Sequence, residues 1–519
     1  YYEIYNKLGY KTTEIVDNEK ASVGNNPLLG NNKEIEFYID AFKALECEVW
    51  KINSEKIECI SNCDDVEFEF TFNELPNNEI TLDSFTFQTN FNSSVRGNFI
   101  LAFTTDNGEE VTITLPDGSE YKTNNLSVTS PSLNGEVQTI TVTASNLDVI
   151  NSINFSNMDI YGELDFTKLT FDGNVKLANN NRVSNVIFSS NNNIIPILDL
   201  QSCHITTTNL NLSNVLITDT LNINNCLNIQ SVTFKPTTLK TVLANLSGIN
   251  GNFDLSDVTF NGGNFEAKLN NNMTDITHSS GLNKIYSYNI QASQSITTLD
   301  LTDVQFIGGD FTFIQTSSLS TILHSTYSNT IRNYVGLLGG LVGTLDLTNV
   351  IVVNSLNLSN NGSLDTITIT PMEISSLNIA SCNFSGVLDL SDLVIREAII
   401  LSNNSLTSVI HSSSKVVYPS VYWVNYNNIT SLTFNGVNFD RIGKLSKFSP
   451  NNPTYMTFAH NNLNTTNGTA ILEDINTNSV VSIQMGDIVY NEGNSVGAVL
   501  STSLGGVLAN LRNKGFNLS

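Results

Sequence analysis

The stretch Leu299-Asp300-Leu301-Thr302-Asp303-Val304-Gln305-Phe306 carries apolar residues at its first, third, sixth and eighth positions. The same spacing recurs as LDFTKLTF from Leu164, LNLSNVLI from Leu210 and FDLSDVTF from Phe253, then as LDLTNVIV from Leu345, LDLSDLVI from Leu388 and LTFNGVNF from Leu432. Successive starts lie 46, 43, 46, 46, 43 and 44 residues apart. Apolar residues at i and i+2 face one side of a strand, so each copy predicts a strand that buries its aliphatic side. Self-similarity at a fixed period predicts stacked structural repeats that share one core.

Each long period divides into four segments of about 11 residues. The intervening segments replace the third apolar residue by Asn or Cys. Examples are Ile399, Leu401, Asn404 and Leu406; Tyr422, Val424, Asn427 and Ile429; and Met456, Phe458, Asn461 and Leu463. An inward Asn at such a place can pair backbone groups that the turning chain leaves free. Two segments make a coil of about 22 residues, so each long period reads as two coils, each with two strand-like sides. About 12–14 coils then fit between residues 150 and 465, in an array on the order of 60 Å long. A right-handed β-helix with three faces per coil is the competing geometry.

The segments resemble the leucine-rich repeat proteins of Bacteroidetes-type bacteria and their phages, in which LTSLDLSNN-like units recur about every 11 residues. The resemblance spans roughly 300 residues and implies a scaffold more than an activity. It also implies a β-domain ahead of the repeats and a closing segment like the terminal KGFNLS. The Gly- and Leu-rich stretch Tyr334 to Leu341 departs from the pattern.

Outward from the array, residues 65–148 show plain alternation (VEFEFTF, NFILAFTT, EEVTITL, QTITVTA) with turn signals at Asp106-Asn107-Gly108 and Pro116-Asp117-Gly118, which predicts an antiparallel β-sandwich. Residues 149–465 form the predicted leucine-rich-repeat solenoid. Residues 466–519 read as a cap: Leu500, Leu504, Val507, Leu508 and Leu511 keep near-helical spacing, and Phe516-Asn517-Leu518 supplies a last strand. Residues 1–64 lack the repeat. The first 75 residues hold 16 acidic and 7 basic side chains, and 1–64 read as an acidic attachment module of mixed structure. The fold expected is therefore mainly β, a β-solenoid preceded by a sandwich and capped by a C-terminal helix.

Of 519 residues only 14% are charged, 40% are hydrophobic and 76 are Asn, and the formal charge is −25. That balance argues against nucleic acid and against an anionic membrane surface. No apolar run reaches the 18 or so residues of a membrane helix, so neither membrane insertion nor nucleic-acid binding is expected. The chain begins at Tyr1 with no visible export signal, which suits an absent or removed leader or an internal start.

Three groups of chemistry-bearing residues invite a site. Cys203, Cys226 and Cys382 occupy the Asn/Cys turn position and read as buried thiols; Cys47, Cys59 and Cys63 lack a fourth zinc ligand nearby. His278, His324 and His411 occupy matching places, but full-period spacing sets His278 and His324 about 10 Å apart, too far to share one ion. Asp165, Asp254, Asp300, Asp346 and Asp389 point outward between inward neighbours and recur every second coil; Asp254 with Asp257 and Asp300 with Asp303 could lie close and hold a weak calcium ion, but solvation and turn formation are the roles expected. No nucleophile elbow, phosphate loop or HExxH pair is present. The expectation is no catalytic residues, no metal, no cofactor, and no binding residue assigned in advance. The chain reads as a non-enzymatic structural or adhesion protein in a phage virion, a fibre, decoration or receptor-binding protein whose partners are other virion proteins or a host-surface protein or glycan. The alternatives are a secreted or surface-anchored bacterial adhesin, a polysaccharide-depolymerising tailspike and a plain spacer.

Overall fold

The computed structural model describes residues 83–411 without interruption, together with 50–52, 57–59, 421–425, 427–429, 431–433, 454–457, 459, 461, 463–477, 486–489, 506–514 and 516–518. The chain divides into two compact units, Tyr1–Leu82 and Asp83–Ser519. In the first, Trp50–Ile52 pairs antiparallel with Ile57–Cys59. The rest of the acidic module, the VEFEFTF stretch, Cys47 and Cys63 lie outside the described residues.

The second unit is a β-solenoid of about 12 turns. One inward residue per coil defines its axis: Ile153, Val175, Leu198, Leu221, Val242 and Phe265 are successive partners in a parallel sheet. The series continues through Tyr288, Phe311, Tyr334, Leu356, Leu377, Ile399 and Tyr422. Every one of these side chains is buried. Each fully buried aliphatic or aromatic side chain contributes about 1.5–3 kcal/mol, so the stack supplies much of the driving force for folding. The backbone ladder runs on to Met456.

Each coil also crosses a second face, where pairing is not continuous. There the LDL-type strand of one coil pairs with the next coil's strand: Asn209–Leu212 with Ser231–Phe234, Gly251–Leu255 with Met273–His278, and Thr298–Leu301 with Thr321–His324. Pairing lapses between these doublets, although single bonds such as Asn250 N–H to Gln230 O (3.1 Å) and Val342 N–H to Ser320 O (3.1 Å) persist at strand starts, and further on Ser405–His411 pairs both with Ser385–Leu390 and with Ser431–Thr433. Coils therefore alternate between two kinds, which is why the sequence repeats at 43–46 residues and not at 22. In the first kind two residues, such as Thr302 and Asp303, turn the chain from the second face onto the long sheet. In the second kind the corner is wider and varies in length. It runs from His278 to Asn283 and from His324 to Asn329 in the 46-residue periods, but only from Phe234 to Thr237 and from Ile369 to Met372, through Pro236 and Pro371, in the 43-residue periods.

The irregular stretch at 334–341 is an ordinary coil with a large neighbour. Phe313 is fully buried one coil earlier, and a Cβ on Gly336 would lie 2.0 Å from its ring. A Cβ on Gly340 would lie 2.1 Å from the Ser317 carbonyl oxygen. Glycine there offsets the bulk of phenylalanine in the adjoining coil, and the register of Tyr334 is unaffected.

Residues 83–148 are antiparallel and join the solenoid on both faces. Asp83–Thr89, Gln138–Ala144, Val111–Thr114 and Glu120–Thr123 form one sheet, which Ile160–Phe166 extends through Ile160↔Thr89. Phe99–Thr105 pairs with Asn125–Val128 on one side and with Ile150–Asn154, the start of the long sheet, on the other. The apolar cluster is continuous from Phe85 to Phe516. Toward the C-terminus stand helices Thr465–Thr477 and Val507–Asn513 and the strand Phe516–Leu518, whose partner is Gly486–Val489. Leu504 and the residues before it in the proposed helix lie outside the described residues.

The facing of each side chain is testable at one motif. Leu299 is fully buried, whereas Asp300 beside it is exposed and its Oδ1 accepts the Thr302 N–H (3.0 Å). Leu299→Asp buries an unpaired charge and should abolish the cooperative thermal melt. Asp300→Ala should fold with a loss of no more than about 1 kcal/mol. Equal melting of both variants and the parent contradicts the facing.

Candidate functional site

The Asn/Cys positions sit at the corner after each long strand. At this corner one residue per coil adopts a left-handed backbone, with φ between 52° and 64°, from Asn179, Ser202 and Asn225 through Leu246, Leu269, Ala292, Gln315 and Leu338 to Asn360, Ser381 and Asn403. At most of these corners the next residue points inward and bonds the coil before it; Ser247 Oγ instead donates to Ala244 O of its own coil (2.8 Å), Thr316 Oγ1 has no partner among the described residues, and Gly339 has no side chain to offer. The Asn180 amide donates to Phe155 O (2.8 Å) and Leu177 O (2.7 Å), and its Oδ1 accepts from the N–H groups of Met158 (3.0 Å) and Ile160 (3.1 Å). Cys203, Cys226 and Cys382 are buried free thiols that donate to Leu177 O (3.1 Å), Leu200 O (3.0 Å) and Leu358 O (3.2 Å). Ser293 Oγ does the same toward Ala267 O (2.9 Å). Burial pushes the thiols of Cys226 and Cys382 up to about 12 and about 11, and Cys203 is raised by the same cause. A thiol so placed is a poor nucleophile and a poor ligand.

The three repeated histidines each meet a tyrosine of the long sheet. His278 Nε2 lies 3.1 Å from Tyr288 Oη, His324 Nε2 3.0 Å from Tyr334 Oη, and His411 Nε2 2.9 Å from Tyr422 Oη. All three tyrosines are fully buried, so each hydroxyl needs an internal partner, which the histidine provides. Phe306 and Phe311 pack on His324, and Phe260 and Phe265 on His278. Burial pulls each imidazole down to about 4 and pushes the tyrosines up. Nδ1 of His278 and of His324 has no partner, so a second ring proton there would be buried unpaired. The partner tyrosines were visible in the sequence ten or eleven residues after each histidine, and reading histidine alone missed them.

A second inward asparagine series also escaped the sequence reading. The Oδ1 atoms of Asn193, Asn283 and Asn329 accept the N–H groups of Phe171 (3.0 Å), Phe260 (3.1 Å) and Phe306 (3.0 Å) in the preceding coil. The signal was there: an Asn five residues after Phe188, His278 and His324.

The LDL aspartates serve their own turns. Asp165, Asp254, Asp346 and Asp389 accept the N–H two residues on, at 2.8, 2.9, 3.0 and 2.9 Å, as Asp300 does. Among the described residues no group of three or more His, Cys, Asp or Glu is placed to hold a metal ion. Outward cations on the long sheet pair with acids one coil earlier: Arg332 holds Asp310 at 2.6 Å and Arg396 holds Glu373 at 2.5 Å. No helix among the described residues is long and apolar enough to cross a membrane.

The surface is indented where corners stack between Asn179 and Asn272. Two adjoining depressions, about 340 and 460 Å³, share His204 and Leu227 as the ridge between them. Leu227 is 61% exposed. A Cβ on Gly248 would lie 2.0 Å from Leu227 O, so only glycine permits this approach, and it leaves a notch beside the ridge. No protein-family model, curated protein or solved structure matches this chain.

The buried pairs make stability depend on acid. An imidazole held at about 4 when folded, below the 6.5 of a free one, is neutral in the folded chain and charged in the unfolded chain between those values. Stability is therefore complete above pH 6.5 and falls as pH drops toward 4, by roughly 3 kcal/mol for each histidine. Denaturant melts at pH 7.5 and 4.5 should differ by less in His324→Gln than in the parent. An identical pH response in the two would remove His324 from this account.

Proposed function

We propose that this chain is a non-enzymatic structural and adhesion protein, a phage virion component of the fibre, decoration or receptor-binding kind. It would present an elongated repeat surface to other virion proteins or to a host-surface protein or glycan. The observation that carries this reading is the division of labour around the coil. Inward positions are taken up by packing and by closing backbone bonds, and the groups with reactive potential are consumed by the same task. The three buried histidines face tyrosine hydroxyls, the buried thiols face carbonyls, and the LDL aspartates hold their own turns. What remains outside is mostly amide and hydroxyl, repeated coil after coil, which suits recognition more than bond-breaking. The net charge of −25 further disfavours nucleic acid.

The leucine-rich character of the solenoid belongs to the same proposal. One long strand per coil of about 22 residues, followed by Asn or Cys bonded to the preceding coil, supports it. The antiparallel strands of residues 83–148 then act as the cap at one end, supported by their bonds to both faces of the first coil. The helix Val507–Asn513, with Leu508 and Leu511 buried, and the strand Phe516–Leu518 act as the other. Caps of this kind cover the open edge and apolar end that a solenoid otherwise exposes.

Quantitative mass spectrometry of purified phage particles and of bacterial envelope fractions tests the assignment. The chain is expected among the particle proteins in amounts comparable with known virion parts. Enrichment in the envelope with absence from particles would reject the virion setting and leave a bacterial adhesin.

A further inference from the structure

We propose that the indented corner between Asn179 and Asn272 is a binding site for an uncharged oligosaccharide, a reading that rests on the adhesive role above and names its ligand class. The first reason is unused hydrogen-bonding capacity. Most corner asparagines are spent inside the coil, but the side-chain amides of Asn181, Gln230, Asn250 and Asn272 are exposed and form no hydrogen bond among the described residues, and the depressions are lined by them. An amide offers a donor and an acceptor side by side, the complement of neighbouring sugar hydroxyls. No Asp, Glu, Lys or Arg lines either depression, and His204 is the one basic side chain among the lining residues, so the lining favours an uncharged ligand.

The second reason excludes an extended peptide. Backbone groups along this edge are already paired between coils: Thr206 N–H to Ser184 O (2.8 Å), Gln230 N–H to Thr208 O (2.8 Å), Asn250 N–H to Gln230 O (3.1 Å) and Gly251 N–H to Asn272 O (2.9 Å). No free strand edge remains for a peptide to extend. Recognition must come from side chains.

The third reason is apolar surface kept where the backbone disfavours it. The left-handed stack that edges the depression as Asn179, Ser202 and Asn225 continues as Leu246 and Leu269, with φ of 52° and 60° and 41% and 46% exposure. Asn is the low-strain choice at such a corner, and an exposed Leu gains nothing from burial to offset its strain. Leu227 lines both depressions and supplies the apolar contact that the C–H face of a pyranose ring seeks, and Leu246 and Leu269 extend that apolar surface along the corner beyond the depressions. Coils repeat at about 4.8 Å, close to the length of one pyranose unit, so consecutive sugars meet equivalent corners.

Titration calorimetry on the full chain with neutral hexasaccharides of α-glucan, β-glucan, chitin, mannan and galactan type, and with oligogalacturonate as the charged counterpart, tests the site. At least one neutral probe should bind, and the double variant His204→Ala/Leu227→Ala should weaken it tenfold or more with an unchanged thermal melt. Failure of every neutral probe, equal affinity for oligogalacturonate, or binding unaffected by the double variant would overturn the proposal. A double variant that melts early is replaced by Gln230→Ala/Asn250→Ala, held to the same criterion. The adhesive role fails separately, on the particle and envelope fractions.

Discussion

Each coil must reverse direction at the same corner without leaving a carbonyl of its neighbour unpaired in the core. A left-handed residue makes the reversal, and the small polar side chain after it reaches back to the coil before. Asn180, Cys203, Ser293 and Asn404 differ chemically but perform this one task, donating to a carbonyl of the preceding coil. A buried carbonyl left without a partner costs about 1–3 kcal/mol, so a slip of one residue would be penalised together at the many corners that carry such a bond; Ser247, Thr316 and Gly339 stand outside this set. The corner thereby sets the register of the long sheet. The second face is free to pair in doublets and to vary its corner length without disturbing the axis.

The sequence made the coil length and the facing of the aliphatic residues legible, because apolar alternation and a fixed period follow directly from strand geometry. The Asn/Cys position was legible for the same reason: a polar residue at an inward place must have a backbone partner. Other features were not legible from single positions. The His–Tyr pairs join residues on opposite faces, and neither member explains itself alone. The alternation of coil types is a property of two corners compared. Gly336 makes sense only beside Phe313 in the preceding coil, so a stretch that looked irregular along the chain is complementary across it. The free amides at Asn181 and Gln230 could not be told from the many engaged ones without knowing which carbonyls lie within reach.

Function follows from what the coil leaves over. The buried histidines and cysteines each bond a tyrosine hydroxyl or a backbone carbonyl, and the histidines give the interior its acid sensitivity. Outward positions carry ion pairs on the long sheet, turn-holding aspartates at the narrow corner, and at the left-handed corner an indentation with no Asp, Glu, Lys or Arg in its lining. On the adhesive role proposed here, such a surface would discriminate by hydrogen-bond pattern and shape more than by charge, with the stacking presenting similar groups one coil further on.

The central claim is that residues from about 150 to 411 are stacked coils with a constant rise, and paired spin labels measure that directly. Labels replacing Asp165, Asp254 and Asp346 occupy equivalent narrow corners, four coils apart in each step. At about 4.8 Å per coil, the 254–346 pair should give a distance near 19 Å and the 165–346 pair one near 38 Å, in the ratio of one to two. Distances that do not scale with the number of intervening coils, or a broad distribution for either pair, would contradict the stacked solenoid and every site argument that depends on it.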